Sequence, residues 1–326
     1  MGDRLGRVPV SDDKSHGLSP RQQRALTWSI GLAILGYLVF SLWGGWREVV
    51  AAAGEVGVIG LFIALLLSLV NYGLRFVRWQ YYLHTLGTSI PWSASLGIYI
   101  LGFSLTTTPG KSGEMLRSVF LKRYRMPYSK SIAAFFSERL SDLISVLLLT
   151  LFGLATYPAG RPVFYVLVIA VLIALTILHS QRWLDAIRRI IDKRLGGGFA
   201  RVASSALDIV LHSRTLYGWA PLGLGLLVGF FAWAAEAWAF YLMTGWMGLE
   251  LSWQVTFFIY AFSMIVGAVS FLPGGLGGAE LTMVTLLMLN RVEAPEAVAL
   301  TVLIRVTTLW FAVVLGIAAL LRHRHP

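Results

Sequence analysis

Glu114, Glu138, Arg139, Asp142, Glu236, Glu280 and Arg305 are charges set inside or beside long apolar runs. At the centre of a bilayer each charge costs at least ~2.5–3.5 kcal/mol on insertion scales, so such groups pair or face a wet cavity. Their spacing permits pairing on a helix. Arg139 and Asp142, Glu114 and Arg117, and Lys111 and Glu114 are three apart, and Glu138 and Asp142 are four apart. Arg139 is nine residues past Lys130, and Arg305 is nine past Glu296. At ~1.5 Å per residue each is about 14 Å deep, and Glu236, ten residues before Trp246, is at similar depth. Two chemistries fit: ion pairs that staple helices, or a buried cavity that binds a charged ligand.

Two breaks in apolar sequence favour the cavity. One runs through Pro109, Gly110 and Gly113 to Glu114, and the other through Pro273, Gly274, Gly275 and Gly277 to Glu280. A helix restarting after such a break presents unpaired N–H groups and a positive dipole end, and glycine lets a ligand approach them. Beside Arg139 and Arg305 this describes an anion site, and phosphate fits it. The run Gly110-Lys111-Ser112 is not a nucleotide loop, because the required earlier glycine is Leu105. There is no cysteine, and the six histidines show no ligand spacing, so no metal and no cofactor are expected.

The elements that position these residues are membrane spans. Of 326 residues 57% are hydrophobic and 13% charged, about half the charge of a soluble domain. Spans are expected near 27–45, 56–74, 131–157, 162–180, 215–246 and 296–321, with a short loop holding Arg47, Glu48 and Glu55 after the first. The second helix continues to Arg75, Arg78 and Trp79, which are expected to anchor at the interface. Residues 1–25 read as a cytoplasmic tail, not a cleaved leader. The formal net charge of +11 lies mostly between apolar runs, which points to a basic membrane face and not to nucleic acid. Residues 181–214 read as a basic amphipathic linker on the membrane.

Self-similarity organises these spans into repeats, one about 56–157 and one about 215–321. Trp79 aligns with Trp238, Trp92 with Trp253, Tyr99 with Tyr260, Pro109 with Pro273, Glu114 with Glu280 and Arg139 with Arg305. If both breaks are re-entrant hairpins, six full spans remain and both termini are cytoplasmic. The two halves are then inverted, an architecture of transporters. The expected fold is therefore all-α and polytopic.

With Arg75…Arg78-Trp79, Pro109…Gly113-Glu114…Arg117, Glu138-Arg139…Asp142, Pro273-Gly274-Gly275…Gly277…Glu280 and Arg305…Trp310, the chain resembles the flippase-like family of the lysylphosphatidylglycerol synthetase transmembrane region, also called UPF0104. The resemblance covers about residues 55–320. It implies translocation of a lipid, an aminoacylated phospholipid in fusions that carry a soluble synthetase domain, in a bacterial inner membrane. This chain shows no such domain, so lipid aminoacylation is not expected. Two other readings stay open: an intramembrane lipid transferase with Glu138 or Asp142 as base, and an accessory subunit that binds a lipid-modifying enzyme. An oligomer is compatible with all three.

Overall fold

The computed structural model describes residues 46–108, 114–115, 117–180, 182, 184–185, 188–189, 197–270, 272 and 274–322. The tail at 1–25, the span at 27–45, Pro109, Gly110, Lys111, Gly113 and Pro273 lie outside the described residues. Every regular element among those described is helical. In chain order they are α1 (Trp46–Thr85), α2 (Trp92–Phe103), α3 (Arg117–Leu121), α4 (Tyr128–Thr150), α5 (Arg161–His179), α6 (Gly197–Leu216), α7 (Trp219–Trp246), α8 (Trp253–Val269), α9 (Gly278–Leu289), α10 (Ala294–Arg305) and α11 (Phe311–Arg322). A π-helical turn, Val306–Trp310, joins α10 to α11, so Ala294–Arg322 runs as one rod. The chain is a polytopic membrane protein: α1, α5, α7 and this rod are long and apolar enough to cross a bilayer, and α2, α8 and α9 are shorter apolar helices.

Polarity is arranged as a bilayer demands. The outer face of α1 carries exposed Val58, Ile59, Phe62, Leu66 and Val70, while its inner face buries Ser68, Asn71, Arg75 and Arg78. Helices suit this setting because they satisfy their own backbone groups without water. The loop expected over Arg47–Glu55 is helical instead, and the helix is interrupted only at Gly57, where φ is 68°. The Ala51-Ala52-Ala53 run and its neighbours are good helix formers, and glycine alone accepts that backbone angle without strain. The span expected to start at 215 begins at Trp219, because Thr215 and Leu216 close α6.

α1 and α7 form the central pair and run antiparallel. Gly60 faces Trp246, Asn71 Nδ2 donates to the Ala232 carbonyl at 2.8 Å, and Gly225 backs onto Tyr82. Glycine is required at the crossing. A Cβ at Gly225 would fall 2.2 Å from Tyr82 Oη, and one at Gly229 would fall 2.5 Å from Ser145 Oγ and 2.8 Å from Arg78 Nη1. α4 packs on α7, and the α10–α11 rod packs on α1. α6 lies against α4 and α5, with Leu207 packed on Leu184 and Leu216 fully buried.

Two short pairs of helices fill the sides. α8 and α9 pack on each other, and α9 has 12 residues, about 18 Å of rise against a core of about 30 Å. The pair therefore starts and ends at one end of the bundle. There Asn290 Nδ2 donates to the Tyr157 hydroxyl, and Tyr157 stacks on Phe258. α2, also 12 residues, and α3 start and end at the other end, where Lys130 Nζ donates to the Leu86 carbonyl at 2.8 Å.

At Trp79 the internal match drawn from the sequence pairs residues of unlike burial. Trp79 is buried but Trp238 is 45% exposed, so they do not occupy equivalent sites. The buried residue with a ring contact like that of Trp79 is Phe240. Trp79 lies 6.1 Å from the Tyr99 ring, and Phe240 lies 5.9 Å from the Tyr260 ring. The offset is then the one that already links Trp92 to Trp253 and Tyr99 to Tyr260. Carried along the sequence, that offset sets Asn71, Tyr72 and Arg75 against Ala232, Trp233 and Glu236.

Candidate functional site

The inner faces of α1, α4 and α3 bring a group of charges together. Arg78 Nη2 donates to Asp142 Oδ1 at 2.6 Å, and Arg75 Nη2 donates to Oδ2 at 3.2 Å. Arg139 reaches the same Oδ2 at 3.2 Å and lies 3.7 Å from Glu114. Arg117 Nη2 bonds Glu114 at 2.6 Å and its Nη1 lies 3.3 Å from Glu138. The Arg117 guanidinium also sits over the rings of Trp79 and Tyr99, at 4.7 and 4.9 Å. Such charge-assisted, nearly dry contacts are the strong kind. Among the described residues the group holds four arginines against three carboxylates. The Nε donors of Arg75 and Arg139 find no hydrogen-bond acceptor there.

Arg75, Arg78 and Trp79 thus depart from the sequence reading, which placed them at the interface. They are 6%, 0% and 1% exposed. Asp142 lies opposite them across the antiparallel packing, and a buried carboxylate at that depth holds arginines inside more strongly than water draws them out. The signal was present in the sequence as Ser68, Asn71, Tyr72, Arg75 and Arg78, polar positions three or four apart on one helix face.

A second group forms around the break before α9. Arg305 Nε donates to Glu280 Oε1 at 2.6 Å, its Nη2 to the Gly274 carbonyl at 3.0 Å, and its Nη1 contacts Met264 Sδ at 3.8 Å. Gly274, Gly275 and Gly277 have φ of 64°, 70° and 90°, backbone that a side chain would strain. The N–H of Gly277 is not open to a ligand as the sequence implied. It donates to Glu280 Oε2 at 2.7 Å, so the α9 terminus is capped by the chain's own carboxylate. Glu280 occupies the place an anion would take, with Arg305 on its other oxygen. Glu114 is held more closely by Arg117 than by Arg139, so the Glu114–Arg139 contact is looser than the Glu280–Arg305 contact.

Between the groups is a cavity that is partly open to its surroundings. Arg75, Glu114, Glu236 and Arg305 reach it, with Tyr72, Thr106 and Tyr260 as further polar lining and Phe103, Trp233 and Leu309 as apolar walls. Tyr260 Oη donates to Glu236 Oε2 at 2.5 Å. Tyr72 Oη donates to the Thr308 carbonyl inside the π-helical turn, so the carrier helix of Arg305 departs from α-helical bonding directly beside the cavity. Turns of this kind cluster at functional sites. Among the described residues no group of three or more acidic or histidine side chains is placed to hold a metal ion.

The model of the lysylphosphatidylglycerol synthase transmembrane region matches residues 28–316. The chain belongs to that family. A UPF0104 membrane protein of Methanothermobacter thermautotrophicus is 23% identical over 304 residues, spanning 87% of this chain and 90% of the relative. A UPF0104 membrane protein of Pyrococcus horikoshii is 24% identical over 328 residues, spanning 90% and 96%. The matched stretch contains both charge groups, the cavity and every described helix from α1 to α10. Membership places this family member among membrane proteins linked to lipid handling.

Proposed function

We propose that this protein carries a phosphate-bearing lipid between leaflets, with the headgroup passing through the central cavity. The observation that supports this is a cavity among membrane-spanning helices that is reached by Arg75 from one half and Arg305 from the other. Glu114 and Glu280 neutralise arginines while the cavity is empty, and a phosphate entering would displace or share those contacts. The two halves read as inverted repeats: α1 and α7 correspond in sequence order and contacts and run antiparallel, and their short helix pairs open at opposite ends. Inverted halves around a midplane site suit alternating access. The membrane is a bacterial inner membrane in this reading, with the basic end cytoplasmic.

The test is reconstitution into liposomes with fluorescent phosphatidylglycerol, phosphatidylcholine and ceramide, scoring protein-dependent leaflet exchange. Phosphatidylglycerol is expected to exchange, with the ceramide left behind. Arg75→Ala/Arg305→Ala is expected to lower that rate at least about tenfold, the weight of one lost charge-assisted contact. A folded double variant that keeps the wild-type rate would end this reading.

A further inference from the structure

Arg139 differs from the other charges of its group. The side chains of Arg75, Arg78, Glu114, Arg117, Glu138 and Asp142 are at most 8% exposed, whereas that of Arg139 is 20% exposed. It does not line the central cavity, so its open side faces elsewhere. It is also loosely held from within. Its Nε and Nη2 are buried and find no hydrogen-bond acceptor among the described residues. Its ionic contacts are to Asp142 Oδ2 at 3.2 Å and to Glu114 at 3.7 Å, and the Phe135 ring lies 5.5 Å from the guanidinium.

The surroundings on that open side are those of a bilayer. Arg139 stands nine residues past Lys130, about 14 Å along α4 from the basic end. Phe136, one turn before it, is 49% exposed, and Leu143, one turn after, is half-buried, so this flank of α4 faces acyl chains. A charge open to acyl chains at such depth costs at least ~2.5–3.5 kcal/mol, and water or a headgroup drawn in from the interface lowers that cost. A phosphate brings the counter-charge as well, and charge-assisted bonds are about twice as strong as neutral ones.

Asp142 connects this position to the cavity. Its Oδ2 lies 3.2 Å from both Arg139 and Arg75, and Arg75 does line the cavity. Its Oδ1 is held by Arg78 at 2.6 Å, which fixes the carboxylate while Oδ2 changes partners. An anion that replaces Oδ2 on Arg139 has Arg75 as the next cation along its path.

We propose that Arg139 is the docking point of a phosphodiester lipid headgroup that enters sideways along α4 from the leaflet at the basic end, a site outside the central cavity that feeds it. This rests on the lipid reading above and adds the route of entry. The chemistry recognised is a phosphate monoanion. The exposed Phe136 ring assigns that phosphate to a lipid, because an ion from water has no apolar tail to lay against it.

The experiment uses the full chain in phosphatidylglycerol vesicles, with a bimane fluorophore on one introduced thiol. The vesicles carry a phospholipid with a nitroxide either on its headgroup or at mid-chain. Phe136→Cys and Ile173→Cys are compared, since both are exposed and each stands six residues, about 9 Å, from the basic end of its helix at Lys130 or His179. The headgroup nitroxide is expected to quench Phe136→Cys as strongly as the mid-chain nitroxide does, and to spare Ile173→Cys. Adding Arg139→Ala is expected to remove the headgroup quenching at Phe136→Cys, and Arg139→Lys to retain it. Arg139→Ala alone is expected to slow leaflet exchange about tenfold, the weight of one lost charge-assisted contact. Excess inorganic phosphate is expected to leave the headgroup quenching unchanged, and relief by it would assign the position to the free anion and overturn the lipid source. Equal quenching patterns at the two thiols, or headgroup quenching that survives Arg139→Ala, overturn this inference and leave the lipid reading standing where exchange persists. Headgroup quenching in vesicles that show no exchange overturns the lipid reading and the entry role with it. The comparison of the two thiols needs no change at Arg139, so a variant there that fails to fold does not remove the test.

Discussion

Asp142 accepts contacts from three arginines on two helices, whereas Arg139 is one donor of three and its side chain is 20% exposed. Removing one partner of a buried pair leaves the other charge without compensation, at about 3–5 kcal/mol. Asp142→Asn is therefore expected to destabilise the detergent-solubilised protein by about that amount, because Arg75 and Arg78 lose their anion together. Arg139→Ala should cost less than half as much, since Asp142 keeps Arg78 at 2.6 Å and Arg75 at 3.2 Å. Denaturation monitored by tryptophan fluorescence compares them, and an equal loss would show that Asp142 is not the hub of the group. The acidic members of both groups could be read from the sequence, because a carboxylate far inside an apolar run has little other explanation. Arg75 and Arg78 could not be placed that way. They stand near the end of an apolar run, where snorkelling is the usual outcome, and only the fold puts Asp142 in front of them.

Close approach between helices explains how these charges are held. Gly225 and Gly229 let α7 lie directly on Tyr82, Ser145 and Arg78, so the backbone itself walls the arginine group. Gly229→Ala is expected to cost about 1–3 kcal/mol, the usual penalty of overpacking, and to slow lipid exchange by displacing Arg78. Gly223→Ala on the same helix has open space beside it and should be neutral or stabilising by up to about 1 kcal/mol. Thermal unfolding of the two variants side by side tests the contrast, and similar midpoints would refute it. Helix existence and order were legible because apolar length and Gly-Pro breaks are local signals. The two-residue difference between matching by residue type and matching by ring contact was not visible from identity alone. Matching Trp79 with Trp238 preserves the residue type, but the contact to be preserved is with Tyr99 and Tyr260, which Phe240 makes. The π-helical turn after Arg305 also left no signature, and the Tyr72 hydroxyl that donates to its Thr308 carbonyl comes from another helix.

Charge also divides the whole molecule by its two ends. The end marked by the Lys130–Leu86 contact carries Lys122, Arg123, Arg125 and Lys130, and the α10–α11 rod delivers Arg322 to it. That rod has 29 residues, about 43 Å of rise, more than a core of about 30 Å requires. The opposite end, marked by Asn290 and Tyr157, carries Arg47, Arg161 and Arg291 with Glu48, Glu55, Glu250, Glu293 and Glu296. Lys and Arg near span ends collect in the cytoplasm, so the first end is expected to face inward. The chain contains no cysteine, so single introduced thiols report position without background. Tyr128→Cys, on an exposed residue at the basic end, is expected to resist a membrane-impermeant maleimide in intact spheroplasts and to react after lysis. Glu250→Cys, exposed at the other end, is expected to react in both. The opposite labelling pattern would reverse the orientation while leaving the proposed inverted arrangement of the halves intact. Labelling of both residues from one side would be incompatible with it, because α1 and α7 could then not cross as an antiparallel pair.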